Sequence, residues 1–331
     1  MPTENPVRPE PTVKIWLEPD GRLCYYVKTG AWRKKGGQPL GCVLFSMAGI
    51  GFERGVADMA RRSMVIAILV ILVAAVASAA PVGEGETGGR PDAGYAALKK
   101  SLAGRYGTLV PRQWGEKVSG VKTRLQTTEK VIALTLDACG SARGMGYDAR
   151  LLEFLEKEQV PATLFINARW IGPNRAVFDR LAANPLFEIA NHGLRHKPAS
   201  VTGRSVYGID GTRNVAELVD EIELNARGLR ELTGRRPLFY RSGTAYYDEV
   251  AVKVAESLGE QVAGFSVLGD AGATYSREQV KRALLGAVAG DIVILHMNHP
   301  EGETAAGVMD AVPELKKRGF RFVRLSDVKL R

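Results

Sequence analysis

The sequence predicts an α/β fold whose strands run parallel. From Lys130 onward, short apolar runs rich in β-branched residues alternate with segments in which apolar residues recur at helical spacing. Chemically active residues follow directly after several of the apolar runs. Strands separated by helices in this way pair in parallel through right-handed crossovers, so a doubly wound sheet and a (β/α) barrel both satisfy the pattern.

Each predicted strand is a short apolar run, and each predicted helix has an apolar face. The clearest helix begins at Val215 and is ended by Gly234. A long, polar, Gly-rich loop, Asn191–Asn214, precedes it. The predicted strands are Val131–Leu136, Ala162–Ile166, Phe187–Ala190, Leu238–Tyr240, Val262–Val267, Asp291–Leu295 and Phe320–Leu325. The other predicted helices are Ala149–Glu158, Asp248–Leu258, Glu278–Ala287 and Ala305–Arg318.

An apolar run in the first third of the chain predicts export. Arg61 and Arg62 precede the run Val65–Ala80, which ends in the small residues Ala77-Ser78-Ala79. This order is typical of a cleaved secretory signal, and the run is short for a spanning helix, which needs about 20 residues. The domain that follows is therefore expected to be periplasmic or secreted, or anchored in the membrane through residues 64–80 if the signal is retained.

The chain divides into four parts on composition. Residues 1–58 form an extension that either results from a misplaced gene start, with Met59 as the true start, or is a small β-rich segment containing the hairpin Val13–Leu17 and Leu23–Val27. Residues 59–80 are the signal peptide or anchor. Residues 81–120 are predicted to be a Gly-rich linker and a polar arm that contains Trp114, and residues 121–331 the α/β domain.

Composition excludes some classes of partner and bond. The net charge is +9, but no run of basic residues with interleaved aromatic residues is present, which argues against a nucleic-acid partner. Of the three cysteines only Cys139 follows the predicted signal, so no disulfide is expected in the exported domain.

Four predicted strand ends carry polar residues that suit catalysis or metal binding. Asp137 follows the first apolar run, His192 and His196 follow the third, Arg241 follows the fourth and His296 ends the sixth. The carboxyl ends of parallel strands share one edge, so these residues are expected to meet there. Two imidazoles four residues apart suit Zn²⁺, Co²⁺ or Ni²⁺. Taken singly, the aspartate could cap a turn and the two histidines could lie in a solvated loop.

The order of these motifs resembles the NodB-homology polysaccharide deacetylases, carbohydrate esterase family four. The matching elements are Leu134-Thr-Leu-Asp137, His192-x-x-x-His196, Arg241 and Ile294-Leu295-His296, within about residues 120–331. The resemblance implies an irregular (β/α) barrel of about seven strands. It also implies a metal-dependent hydrolase that removes N-acetyl groups from an envelope or extracellular polysaccharide, such as peptidoglycan, a chitin-like polymer or an exopolysaccharide.

The resemblance also implies a role for each matching residue. Asp137 corresponds to the general base and Arg241 to the arginine that orients it. His192 and His196 correspond to ligands of a divalent metal, Zn²⁺ in the first place with Co²⁺ or Ni²⁺ as alternatives. His296 corresponds to the general acid.

Three further residues are candidates for support of the reaction. Asp270 is the nearest match to the acidic residue that supports the family's catalytic histidine or arginine. Thr244 and Tyr246, in the loop after Arg241, are candidates for contact with the substrate or its oxyanion. This loop lacks the prolines and tyrosine of the family's R-x-P-Y motif, which predicts an unusual substrate surface.

The main departure from the family is Ala138, which stands where the family has an aspartate that binds the metal. Three replacements are open: Asp137 binds the metal directly, water completes the coordination, or Cys139 supplies a thiolate. Loss of metal and activity is the fourth outcome. The alternative functions are therefore a non-catalytic glycan-binding or scaffold domain of the same fold, and a hydrolase of another non-peptide C–N bond.

Overall fold

The computed structural model describes residues 12–17, 23–28, 92–141 and 144–331, and the chain divides into two compact units between Pro81 and Val82. In the first unit, β1 (Thr12–Leu17) and β2 (Leu23–Lys28) form an antiparallel hairpin, which confirms the predicted one. The predicted signal segment, residues 59–80, lies outside the described residues. Within the described ranges, no helix has the length and apolarity needed to cross a membrane.

The second unit is built around a curved parallel sheet. Its strands are β3 (Val131–Ala138), β4 (Ala162–Ile166), β5 (Phe187–Asn191), β6 (Phe239–Tyr240), β7 (Gln261–Val262), β8 (Val267–Leu268), β9 (Ile292–His296) and β10 (Arg321–Phe322). Seven of them follow one another across the sheet in the order β7-β6-β5-β4-β3-β9-β8, and β10 pairs in parallel with the first residues of β3. The predicted (β/α) barrel of about seven strands is thus confirmed.

Helices connect the strands and cover the outer face of the sheet. They are α1 (Ala93–Tyr106), α2 (Ala149–Lys157), α3 (Ala168–Ile171), α4 (Arg175–Ala183), α5 (Val215–Thr233), α6 (Glu249–Ser257), α7 (Arg277–Leu285) and α8 (Thr304–Lys317). The long helix α5 ends as predicted at Gly234, whose φ of 73° places it in the left-handed conformation that terminates many helices.

Alternation along β3 separates two hydrophobic cores. Ala133 packs inside the curved sheet, whereas Leu134, Leu136 and Ala138 pack outward among the helices. Because successive strand residues point to opposite faces, Asp137 lies on the inner side. The end of β3 therefore presents a polar side chain on the inner face of the sheet.

Several elements differ from the prediction, among them the helices α3 and α4, which the sequence analysis did not predict. The predicted strand Val262–Val267 is divided into β7 and β8, because the backbone of Ala263 and Gly264 turns inward and gives its carbonyl oxygens to the Arg241 side chain. Part of the predicted linker and arm, residues 81–120, is the helix α1. This helix packs against α5 and α6, and its Tyr95 is buried.

Candidate active site

The structure brings the predicted strand ends together at one edge of the sheet. Asp137 at the end of β3 is the register partner of His296 at the end of β9. His192 follows β5 and Arg241 follows β6, the next strand in the sheet. Asp137, His192 and Arg241 are all buried, which is rare for charged side chains unless they are paired.

Arg241 fixes the orientation of Asp137. Its Nη1 donates to Asp137 Oδ1 at 2.8 Å and to Thr135 Oγ1 at 2.9 Å. Its Nε and Nη2 donate to the carbonyl oxygens of Ala263 (3.0 Å) and Gly264 (2.9 Å). The planar guanidinium thus donates to four acceptors, and these contacts hold it in one orientation. One oxygen of Asp137 is held by this arrangement, and Oδ2 is not.

The free oxygen of Asp137 faces the first histidine. Asp137 Oδ2 lies 3.7 Å from His192 Nε2. His192 Nδ1 lies 3.0 Å from the carbonyl oxygen of Arg241, an acceptor, so the proton of the neutral ring belongs on Nδ1. This tautomer leaves the Nε2 lone pair available for a metal ion, as in most metal-binding histidines.

Cys139, His192 and His196 form the candidate metal cluster. One ligand atom from each lies within 4.8 Å of those of the other two. Cys139 Sγ lies 3.7 Å from His192 Nε2. His196 Nε2 is buried and has no hydrogen-bond partner among the described residues. A buried nitrogen without a partner is costly, and a bound cation would satisfy it.

Strand geometry explains why the thiol is in this cluster and residue 138 is not. The side chain of Ala138 packs in the outer core. Residues 137 and 139 both lie on the opposite side, since side chains alternate along a strand. Cys139 is therefore placed beside Asp137, near the position that the aspartate missing at residue 138 would have had to reach.

The electrostatics of the cluster favour a cation. Burial raises the pKa of Cys139, but the charge on His196 and hydrogen bonds from the neighbouring imidazoles outweigh it and hold the pKa well below its usual value. Burial lowers the pKa of His192, but Asp137 and Cys139 raise it by more. The thiolate form of Cys139 is thus favoured beside the two imidazoles. Two nitrogens and a thiolate are a donor set that fits Zn²⁺ and leaves a fourth position open.

His296 is paired with a buried carboxylate. Its Nδ1 lies 2.8 Å from Asp270 Oδ1, and its backbone N–H donates to Asp270 Oδ2 at 2.7 Å. Thr304 Oγ1 donates to the same carboxylate at 3.0 Å. Burial lowers the pKa of His296, but the Asp270 charge raises it well above its usual value. The Asp270 carboxylate thus favours the protonated imidazole, which is the form that a proton donor requires.

Comparison with known proteins identifies the family. The family model described as polysaccharide deacetylase matches residues 124–263, which contain the cysteine, both cluster histidines, Asp137 and Arg241. These residues thus belong to a polysaccharide deacetylase domain of carbohydrate esterase family four.

Two curated relatives are similar over most of their length. The chain is 26% identical over 217 residues to a peptidoglycan-N-acetylglucosamine deacetylase of Bacillus cereus, covering 64% of this chain and 94% of the relative. It is 25% identical over 211 residues to the peptidoglycan-N-acetylmuramic acid deacetylase PdaA of Bacillus subtilis, covering 61% and 72%. The structure of PdaA superposes with a TM-score of 0.51 at 24% identity, covering 72% of this chain and 91% of PdaA.

A solved pseudoenzyme of the same family shares the fold. It comes from Bacillus anthracis and superposes with a TM-score of 0.52 at 22% identity, covering 64% of this chain and 70% of its own. Family membership therefore does not by itself establish activity, which depends on the residues at the site of this chain.

Glu221 of this polysaccharide deacetylase domain supports the histidine loop and was missed by the sequence analysis. Its carboxylate accepts hydrogen bonds from the backbone N–H groups of Arg195 (3.0 Å) and Lys197 (3.1 Å), on either side of His196. Glu221 lies on α5, in a stretch whose other signals are those of an ordinary helix face. The one sequence signal that could have indicated Glu221 is an acidic residue on the apolar face of the predicted helix.

The last two predicted residues lie in the loop after β6. Thr244 Oγ1 is buried without a hydrogen-bond partner in the described part of the chain. Tyr246 makes ring contacts with Trp114 and Tyr207, at centroid distances of 5.9 Å and 5.5 Å. The loop thus provides an unsatisfied hydroxyl and an aromatic surface near the cluster.

Proposed function

We propose that the protein is a metal-dependent deacetylase that removes N-acetyl groups from an envelope or extracellular polysaccharide. The observation that carries this proposal is the meeting of three metal donors, an oriented carboxylate and a carboxylate-supported imidazole at one sheet edge. Peptidoglycan is the first substrate to test, because both relatives described above are named as peptidoglycan deacetylases.

Cys139, His192 and His196 would hold the cation. When bound, a divalent ion such as Zn²⁺ supplies Lewis acidity, which activates water and polarises a carbonyl. Asp137 Oδ2, which Arg241 does not engage, takes a proton from the attacking water. The new C–O bond forms as the carbonyl carbon becomes tetrahedral.

His296 completes the reaction on the other side of the amide. As the C–N bond breaks, the imidazolium gives its proton to the departing nitrogen, and acetate and a free amine result. Asp270 stabilises the protonated imidazole and fixes its direction. Acid–base catalysis requires Asp137 and His296 to have opposite protonation states before the reaction, and their partners of opposite charge, Arg241 and Asp270, favour this.

A glycan-binding domain without activity is the second candidate, and Ala138 is the observation that favours it. It replaces a family metal ligand, and a pseudoenzyme with this fold exists. The retained Asp137, Arg241 and His296, together with the substitute donor Cys139, favour activity instead.

Acetate release tests the two candidates. The purified full chain, incubated with N-acetylated glycans including peptidoglycan and chitin oligomers, should release acetate when loaded with Zn²⁺ or Co²⁺ and stop after chelation. His192→Ala should lose metal and activity together. His299→Ala is the matched control, because His299 pairs with the exposed Glu301 and should leave both unchanged. Glycan binding without acetate release from any substrate would support the second candidate.

We also propose that the domain is exported, because Arg61 and Arg62 precede the apolar run Val65–Ala80 and its small-residue ending. A reporter that is active only in the cytoplasm, fused after residue 120, should give no signal. Full reporter activity would contradict export. N-terminal sequencing of the mature protein would distinguish cleavage after Ala79 from a retained anchor.

A further inference from the structure

Three aromatic side chains from separate segments meet in one cluster. Trp114 comes from the segment before the sheet, Tyr207 from the loop after β5, and Tyr246 from the loop after β6. The Tyr246 ring lies 5.9 Å from that of Trp114 and 5.5 Å from that of Tyr207, centroid to centroid. The Arg204 guanidinium lies 5.1 Å from the centroid of Trp114. We call Trp114, Tyr207 and Tyr246 the aromatic cluster.

The backbone of Tyr207 is unusual for an exposed aromatic residue. Tyr207 and Gly208 have φ values of 55° and 73° and form a two-residue turn, with hydrogen bonds between Val206 and Ile209 in both directions. Such turns favour Asn and Gly, and a bulky residue in the left-handed region is an outlier. The side chain is 70% exposed, so burial does not compensate for the strain. Strain retained without burial indicates a function for the exposed ring.

Backbone contacts place the aromatic cluster beside the metal cluster. Gly243 packs so closely on His196 that a Cβ atom would lie 2.3 Å from the His196 carbonyl carbon. Tyr246 is three residues further along this loop, and its carbonyl oxygen accepts from Ala199 N at 3.0 Å. Three residues of extended chain span about 11 Å at most. The aromatic rings are thus within reach of a sugar adjacent to one at the metal cluster.

Polar groups surround the rings. Arg204 is exposed, and Glu116 is half-buried. A hydrogen bond with Tyr246 raises the pKa of Tyr207 to about 12, and partial burial and the charge of Glu116 add to this shift. Aromatic faces bordered by a guanidinium and a carboxylate suit a pyranose ring, whose C–H face is apolar and whose edge carries hydroxyl groups.

We infer that Trp114, Tyr207 and Tyr246 form a pyranose-binding subsite for the sugar next to the one that is deacetylated. The inference rests on the proposed function for the position of that neighbouring sugar. It gives a place in the structure where the proposed polysaccharide is held beyond the sugar that is deacetylated. The turn at Tyr207 holds one ring toward solvent so that it can stack on the glycan.

Binding across a length series tests the inference. The probes are N-acetylglucosamine oligomers and peptidoglycan glycan-strand fragments of increasing length, measured by calorimetry on the full chain carrying Asp137→Asn, so that no turnover is needed. Longer oligomers should bind more tightly than the monomer. Tyr207→Ala should weaken pentamer binding about 3- to 10-fold, the range expected for one aromatic stacking contact, and should leave monomer binding unchanged.

Two variants separate binding from a structural role. Tyr207→Asn suits the left-handed backbone, so it should maintain or raise the melting temperature while weakening pentamer binding as Tyr207→Ala does. Val110→Ala is the control on the segment that carries Trp114, because Val110 is 80% exposed, and it should change neither quantity.

The outcomes distinguish this inference from the proposed function. If wild-type protein releases no acetate but Tyr207→Ala still weakens pentamer binding, the proposed function fails and the subsite stands. If the pentamer of neither glycan binds more tightly than the monomer, or if both Tyr207 variants bind it as tightly as the parent, the subsite is wrong whatever the activity.

Discussion

Asp137→Asn separates the roles of base and metal ligand. The substitution keeps the shape of the side chain and removes its negative charge, so the residue can no longer accept a proton from water. Loss of a general base lowers kcat by about 10²–10⁴-fold. Because Cys139, His192 and His196 provide the donors, the amount of bound metal should not change.

The same substitution should lower stability by a predictable amount. The buried pair of Asp137 and Arg241 is joined at 2.8 Å. The Asn oxygen can still accept a hydrogen bond from Arg241, and the other three acceptors of Arg241 remain. The expected loss in the free energy of unfolding is therefore that of one charge-assisted hydrogen bond, about 1.5–3 kcal/mol. For a domain of this size each kcal/mol lowers the melting temperature by about 2–4 °C, so a fall of about 3–12 °C is expected.

Three measurements on one preparation check this prediction: metal content by atomic emission, acetate release, and a thermal melt. Asp179→Asn is the matched control, since Asp179 pairs with Arg175 on an exposed helix face and should cost little. Loss of metal in Asp137→Asn would show that Asp137 is a ligand. Unchanged kcat would rule out Asp137 as the base.

Three further substitutions test the surroundings of the site. Ala138→Asp should not tighten metal binding and should lower stability by about 3 kcal/mol or more, because residue 138 faces the outer core; tighter metal binding would contradict this placement. Asp270→Asn removes the charge that raises the pKa of His296 against the effect of burial, so the alkaline limb of the kcat/KM profile should move to lower pH; an unmoved limb would mean that another group is the acid. Burial raises the pKa of Glu260 to about 8 from 4.5, so the folded protein holds a proton that the unfolded chain releases, and stability should fall as pH rises from about 5 to 8; Glu260→Gln should flatten this fall in denaturant melts, and an unchanged slope would refute it.

The strand ends were predictable because a change from an apolar run to a polar residue marks where a buried strand leaves the core. Asp137 and His296 each stand at such a change, and parallel pairing of β3 with β9 makes them register partners. Arg241 was found in the same way. The sequence could not show that its side chain reaches the carbonyls of Ala263 and Gly264 and so divides a predicted strand.

Other features depend on contacts between distant segments. Cys139 was one of three possible replacements for the missing ligand, and only the alternation at the end of β3 places its thiol among the histidines. Glu221 supports the histidine loop from a helix, which no local pattern reveals. The helix α1 had a signal that the prediction did not use. Asp92 caps its N-terminus, and its buried residues Tyr95, Leu102 and Tyr106 recur at helical spacing.

Zinc K-edge X-ray absorption of the metal-loaded chain tests the donor set most directly. The Cys139, His192 and His196 cluster predicts one sulfur at about 2.3 Å and two nitrogens at about 2.0–2.1 Å. The sulfur signal should disappear in Cys139→Ser. Its loss would also exclude Cys24 and Cys42, the other two cysteines of the chain, as the source of the sulfur ligand. A coordination sphere of nitrogen and oxygen alone in the unsubstituted protein would contradict the thiolate ligand, and with it the account of how this domain replaces the missing aspartate.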